Sequence, residues 1–220
     1  MLHSDTLDYI LSHSDSYKAC VVAKTDMVGK TFHLHYHVLY DLSDFLNKPI
    51  TYMEIGTYNG GSLSFMLKHK NTRVAIGVDP LMLPNQVAFA EANVAKFKKP
   101  DQTVHLLKEF STKAGLPATI KGLVGQVDIL FIDGAHDRAS VIFDFEKYYA
   151  LVAQNGFIVF DDYHDFKYSP EVHGAVNEIV ERIKRGQYSD RQFNIIGAPT
   201  NFTAETIQVP YLNEFIIQLL

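Results

Sequence analysis

The sequence predicts an α/β protein: a doubly wound, mostly parallel, seven-stranded sheet with helices on both faces and an antiparallel C-terminal edge. Three observations predict it. Short apolar runs alternate with amphipathic segments along most of the chain. The runs are continuously apolar, as strands covered on both faces must be. After five such β-α units, two further apolar runs close the chain, which suggests an antiparallel edge.

The elements follow in order. PITYMEIG (49–56) reads as a strand and GSLSFMLKHK (61–70) as a helix. RVAIGVDP (73–80) is a strand, PNQVAFAEANVAKFK (84–98) a helix and TVHLLKEF (103–110) a strand. A shorter helix is expected around 112–121, before the strand QVDILFID (126–133) and the helix ASVIFDFEKYYALV (139–152). GFIVFDD (156–162) is the fifth strand. EVHGAVNEIVERIKRG (171–186) places Val172, Ala175, Val176, Ile179, Val180 and Ile183 on one stripe, and Gly186 can end that helix. QFNIIGAP (192–199) and NEFIIQLL (213–220) are the closing strands. Residues 1–48 form a helical N-terminal preface or lid, whose longest helix contains HYHVLYDLSDFL (35–46); residues 49–220 form the ligand-binding domain.

Bulk properties narrow the function classes. At 220 residues the chain fits one domain, and 47% apolar residues suffice for a full core. A formal charge of −5 gives no general attraction to nucleic acid or anionic membrane. The short basic run KFKK (96–99) reads as a solvated helix end. Cys20 is the only cysteine, which fits a reducing compartment and allows no intrachain disulfide. The opening MLHSDTLDYI has no basic segment followed by an apolar run. No apolar run approaches the roughly 18–20 residues of a membrane helix. The expectation is a cytoplasmic protein with a small-molecule substrate, no nucleic-acid partner and no membrane. Nothing in the sequence speaks against a homo-oligomer.

In doubly wound sheets, ligands bind at the carboxyl ends of the strands, near the switch in strand order. Glu54 to Gly56, Asp79, Asp133 and Asp161 to Asp162 all stand at expected strand ends. MEIGTYNGGS (53–62) joins the first strand to the first helix, and its glycines let the backbone approach a ligand closely. The spacing is not that of dinucleotide binders. Glu54, two residues before Gly56, suits a cationic ligand better than a pyrophosphate. Asp79, twenty-three residues after Gly56, can accept hydrogen bonds from both hydroxyls of a ribose. A cationic nucleoside without phosphate points to S-adenosylmethionine. The bland alternative is a glycine turn that binds nothing.

Asp133, Asp161 and Asp162 can bring three carboxylates to one point from the ends of neighbouring strands. Unpaired they would repel, and a hard divalent cation such as Mg2+ or Mn2+ removes the conflict. His136, three residues after Asp133, can then take a proton from an acceptor hydroxyl. Each piece has a plainer reading. Asp133-Gly134 can be only a turn, Asp137 a helix cap, and a lone histidine is usually structural. His164 with Asp165, and His173, read as loop decoration and a helix start. His33 and His37 read as packing or substrate-side residues.

EIGTYNGGS, the GVDP strand end, and DGAH followed by DD resemble class I S-adenosylmethionine-dependent methyltransferases, with a Rossmann-like sheet. The nearer resemblance is to metal-dependent O-methyltransferases of antibiotic sugars, the macrocin and mycinamicin type, and to relatives labelled cephalosporin hydroxylases. His35, Tyr36 and Tyr40 match that group's segment before the first strand. The resemblance implies that Glu54, Gly56 and Tyr58 lie near the methionine part of the cofactor. It implies Ser62 at the helix start, Asp79 on the ribose, Ser111 near the adenine, and Asp133 at the cofactor as well as at the metal. It assigns Asp133, Asp161 and Asp162 as metal ligands and His136 as general base.

The expected function is methyl transfer to a hydroxyl of a sugar or glycosylated small molecule. Alternatives are a catechol-like acceptor or a binding protein without turnover. An oxygenase reaction lacks the two-histidine, one-carboxylate set, and a nucleic-acid substrate lacks a basic surface.

Overall fold

Strand-forming runs with no polar face must be covered on both sides, and the computed structural model shows how this chain covers them. It describes residues 14–29, 36–199, 203–204, 207–208 and 213–220. Two helices, α1 (Ser14–Asp26) and α2 (His37–Leu46), precede the sheet. Then come β1 (Ile50–Ile55), α3 (Gly61–Lys68), β2 (Thr72–Val78), α4 (Gln86–Phe97), β3 (Thr103–Leu107) and α5 (Leu116–Val124). β4 (Val127–Ile132), α6 (Arg138–Tyr148), β5 (Val152–Phe160) and α7 (Val172–Lys184) complete the β-α units. β6 (Phe193–Gly197), the short pair β7 (Thr203–Ala204) and β8 (Ile207–Gln208), and β9 (Phe215–Leu219) follow.

Seven strands form one sheet in the order β3-β2-β1-β4-β5-β9-β6. β1 to β5 are parallel, and β9 is antiparallel to both its neighbours. Strand side chains alternate between the faces. In β4, Leu130 and Ile132 pack with α5, α6 and α7, while Ile129 and Phe131 face α1 to α4. The helix stripe expected on α7 is buried at Val172, Ala175, Val176, Ile179 and Val180. α3 is buried all round from Gly61 to Leu67, because α4 covers the side that the sheet leaves free. No helix among the described residues is long and apolar enough to cross a membrane.

Several boundaries differ from expectation. β5 begins at Val152, four residues early, because the preceding helix stops at Tyr148 and a 3-10 turn intervenes. Asn155 then adopts φ +63, and the register against β4 shifts between Val127 and Ile129. α5 starts at Leu116, after Gly115 at φ +80. A start near 112 would have put Pro117 inside the helix, where it removes a hydrogen bond. β3 ends at Leu107, whose carbonyl accepts the Glu109 N–H in a turn. Between the two closing strands, the chain carries the short antiparallel β7-β8 pair. The expected antiparallel C-terminal edge is present, in an order the sequence does not specify. β9 inserts between β5 and β6, and β6 becomes the edge.

One feature of this sheet positions everything that follows. The residue just past each of four parallel strands, β1, β2, β4 and β5, donates its N–H to the last strand carbonyl of a neighbour. Asp79 donates to Leu107, Gly56 to Val78, Asp133 to Ile55 and Asp161 to Ile132, at 2.9 to 3.1 Å. The first residues of four successive turns are therefore stitched side by side. The stitch requires Gly56: at φ +94, a Cβ there would lie 1.7 Å from the Asp133 carbonyl oxygen.

Gly56→Ala should therefore lower unfolding stability by about 3 kcal/mol or more, through combined backbone strain and clash. Gly122→Ala, inside α5 with open space around it, should instead add about 0.5–1 kcal/mol from helix propensity. Urea unfolding of both variants measures the difference.

Candidate active site

The stitched strand ends open onto a cavity of about 440 Å³, within the roughly 300–1,000 Å³ of small-molecule sites. Gly56, Tyr58, Ser62, Asp79, Ser111 and Asp133 line it, and His136 stands at the same wall. Glu54 lies one hydrogen bond behind that wall.

Glu54 is fully buried at the end of β1. Its Oε2 accepts the Ser62 hydroxyl at 2.7 Å and the Tyr52 hydroxyl at 2.8 Å. Its Oε1 is buried without a hydrogen-bond partner. Burial pushes its pKa up to about 8, against the lowering effect of the two hydroxyls. A carboxylate so placed lacks a counter-charge.

Asp79, just past β2, organises the turn around itself. Its Oδ2 accepts the Tyr58 N–H at 2.8 Å, and its Oδ1 accepts the Leu81 N–H at 2.6 Å. Tyr58 and Leu81 both adopt positive φ, at 47 and 50, so these bonds hold two unusual backbone positions. Oδ1 also accepts the Gln86 side-chain amide at 3.5 Å, while Oδ2 keeps a second lone pair. Ser111 lines the far end, where its carbonyl accepts the Tyr148 hydroxyl at 2.7 Å.

At the other end stands the acid cluster. Asp133, His136 and Asp162 each offer one atom within 4.8 Å of the others. His136 Nε2 is 3.5 Å from Asp133 Oδ1, and its Nδ1 is 3.4 Å from Asp162 Oδ2. Asp161 is not one of the three. It is 5% exposed, and its Oδ1 accepts the Asp162 N–H at 2.8 Å. That bond accompanies φ +59 at Asp162. Burial and repulsion from Asp161 hold both Asp133 and Asp162 above the usual carboxylate range. The contact with Asp133 raises the His136 pKa against the opposing effect of burial.

The remaining sequence candidates have structural partners. The Asp137 side chain accepts the Ser140 N–H at 3.0 Å and caps α6. Asp165 Oδ1 accepts the N–H groups of Lys167 and Tyr168. His173 Nδ1 lies 3.2 Å from the Tyr163 carbonyl. His37 is buried beside Asp41, at 3.3 Å. His33 and His35 lie outside the described residues. In the basic run, Lys96 donates to the Asp26 carbonyl and Lys99 to the Lys68 and His69 carbonyls.

Two residues without an assigned role join the site. The Tyr36 hydroxyl donates to Asp133 Oδ2 at 3.4 Å, and its ring lines the cavity. The sequence placed Tyr36 only within a matching pattern. Ser169 Oγ lies 2.7 Å from His136 Nδ1 and 2.6 Å from Asp162 Oδ2. A single serine in the span 163–172 carries no signal that would have found it.

Residues 53–163 match the family model of a methyltransferase domain. Over 210 residues the chain is 40% identical to the uncharacterized protein R132 of Acanthamoeba polyphaga mimivirus, covering 93% of this chain and 95% of that one. This chain belongs to the methyltransferase domain family. Two solved structures share the fold of this class I methyltransferase. MycE methyltransferase of the mycinamycin pathway, in complex with Mg, SAH and mycinamycin VI, superposes with TM-score 0.61 at 21% identity. The match covers 93% of this methyltransferase and 54% of MycE. An O-methyltransferase from Bacillus cereus, in complex with SAH, superposes with TM-score 0.55 at 15% identity, covering 98% and 90%.

The methyltransferase should show a specific pH signature from Glu54. Its folded pKa of about 8 lies above the ordinary carboxylate value, so its neutral form is favoured on folding. That contribution is complete below the unfolded pKa and is lost as pH rises through the folded one. Glu54→Gln cannot ionise. Its stability relative to the unaltered chain should rise by on the order of a few kcal/mol between about pH 5 and about pH 9. Chemical denaturation across that range, without ligand, checks it.

Proposed function

We propose that this chain transfers a methyl group from S-adenosylmethionine to a hydroxyl oxygen of a sugar or glycosylated small molecule, with a divalent cation assisting and His136 removing the hydroxyl proton. The observation that carries this reading is the position of His136. It lies between two pKa-raised carboxylates at the wall of the cavity that Gly56 and Asp79 also line.

Glu54, Gly56, Tyr58, Ser62, Asp79, Ser111 and Asp133 would hold the donor. The fit is electrostatic as well as steric. Glu54 has an unpartnered buried oxygen facing a need for positive charge. Asp79 Oδ2 keeps a lone pair for a ribose hydroxyl, and no lysine or arginine among the described residues lines the cavity to ask for phosphate. Bound here, S-adenosylmethionine supplies an electrophilic methyl group on a positively charged sulfur.

Asp133, Asp161 and Asp162 would hold the cation. Their mutual repulsion, seen in the raised pKa values of Asp133 and Asp162, is what a hard cation relieves, and an oxygen-rich set suits Mg2+ or Mn2+. A cation there would lower the pKa of an acceptor hydroxyl. His136 would accept that proton at Nε2, the ring nitrogen beside Asp133. Tyr36, lining the cavity, supports the reading of residues 1–48 as a preface that closes one side of the site over a domain at 49–220. The mycinamycin VI and magnesium of MycE support a sugar-containing acceptor and a cation here.

Calorimetric titration with S-adenosylmethionine and S-adenosylhomocysteine, with and without Mg2+, tests the reading, followed by a methyl-transfer screen on sugars and catechols. The expectation is cofactor binding, metal-stimulated transfer, and sugars preferred over catechols. No cofactor heat under any condition defeats the proposal. Transfer without metal dependence removes the cation from it. His136→Ala should keep cofactor affinity and lose about 10²–10⁴ in turnover, the usual worth of a general base. Turnover within a few-fold of the unaltered chain would remove His136 as the base.

A further inference from the structure

Asn93 on α4 is 1% exposed and lies outside the cavity lining, yet it ties together two segments that meet beside that cavity. Its Oδ1 accepts the Val28 N–H at 2.9 Å. Its Nδ2 donates to the Val28 carbonyl and to the Asn59 carbonyl, both at 2.8 Å. Both amide protons and the amide oxygen are thus engaged. Val28 follows α1, and Asn59 stands between Tyr58 and Gly60 in the turn from β1 to α3. One side chain therefore joins the N-terminal preface to the glycine turn.

The junction is tight. A Cβ at Gly29, whose φ is +84, would lie 2.8 Å from Asn59 Nδ2. A Cβ at Gly60 would lie 3.2 Å from the Cα of Ala90, three residues before Asn93 on α4. The turn itself bends at Tyr58 and Gly60, with φ +47 and +76. The Asn59 carbonyl between them is buried against Asn93, and without that amide it would be left unpartnered in the interior. The same turn presents Tyr58 and Gly61 to the cavity. A second bond also holds the preface to α4: Lys96 donates to the Asp26 carbonyl at 2.6 Å. That bond includes no residue of the glycine turn.

We infer that Asn93 is a positioning residue, which couples the docking of the preface to the shape of the glycine turn, so that a bound cofactor and a docked preface stabilise one another. The inference rests on the proposal that this turn holds S-adenosylmethionine. Asn93 itself touches no ligand. The coupling is reciprocal by thermodynamic necessity: the preface gains from a bound cofactor what the cofactor gains from a docked preface. An amide is required at this position, because a leucine offers neither the two donors nor the acceptor and an aspartate offers no donor.

Hydrogen exchange read by mass spectrometry on the full chain tests this, together with calorimetry using S-adenosylhomocysteine as the probe. Without ligand, Asn93→Leu should speed exchange about tenfold in both 20–29 and 57–64, the effect of leaving a buried carbonyl unpartnered, while β4 keeps its rate. Lys96→Ala should speed only 20–29. Adding the probe should slow exchange of 20–29 in the unaltered chain and in Lys96→Ala, but not in Asn93→Leu. Probe affinity should fall about tenfold in Asn93→Leu, within the roughly 5–150-fold of ordinary coupling between sites, and stay within about twofold in Lys96→Ala. If Asn93→Leu does not fold, Gly29→Ala, which leaves Asn93 in place and drives a Cβ against Asn59, should give the same paired effects. Unchanged exchange of 57–64 in a folded variant, unchanged affinity there, or a bound probe that leaves 20–29 unprotected in the unaltered chain overturns the inference. An unaltered chain that takes no probe defeats the cofactor reading and the coupling with it. The exchange measured without ligand then shows separately whether the joint between preface and turn stands.

Discussion

The site depends on one backbone arrangement. The amides just past β1, β2, β4 and β5 each bond to the last carbonyl of an adjacent strand. Those four bonds extend the ladder one residue beyond the strands and bring the following turns into register. Asp79, Gly56, Asp133 and Asp161 are held in a row before any side chain acts. The contact between Gly56 and the Asp133 carbonyl is close enough to exclude a Cβ. The glycine loop and the first acid of the cluster are consequently one structural unit. A displacement of either turn would move the cofactor wall and the acid cluster together.

Around that row the protein concentrates negative charge with little to balance it. Glu54 is buried with one oxygen unpartnered, and Asp133 and Asp162 are both pushed toward their neutral forms. In a medium of low polarity this arrangement opposes folding unless the acids are protonated or paired. The ion pairs elsewhere are mostly exposed and contribute little. Much of this charge gathers at one cavity, as it does at working sites, although the pKa of Asp144, 2% exposed and outside the cavity lining, is also pushed up, to about 6. On the proposed reading, the positive charges arrive with the ligands: a sulfonium and an ammonium at one end, a divalent cation at the other.

The acid cluster is also assembled from two loops of different construction. The β4-α6 turn is short, ends on the cap at Asp137, and points His136 by its brevity. The β5-α7 loop is longer and stabilises itself through Asp165 and Ser169. The histidine comes from the shorter loop and its hydrogen-bond partner from the longer one. Exposed Phe166 and Tyr168 on the second loop show that it also presents large apolar surface outward.

By itself the sequence determined the elements and their class. Continuous apolar runs admit few environments other than a covered parallel sheet, and the helix stripes follow from local periodicity. It also placed the acids and glycines at strand ends, because a run of apolar residues stops where burial stops. Tertiary structure alone decided the rest. β9 lies between β5 and β6, since a strand buried at every residue needs neighbours on both sides, and no local pattern names them. Geometry likewise brought His136 between Asp133 and Asp162, and gave Asp161 Oδ1 the amide of its own neighbour. Ser169 reached the site from seven residues beyond Asp162 because a loop closed on itself. Such contacts depend on where distant backbone segments meet in space. A one-dimensional spacing carries that information only when the segments between are regular.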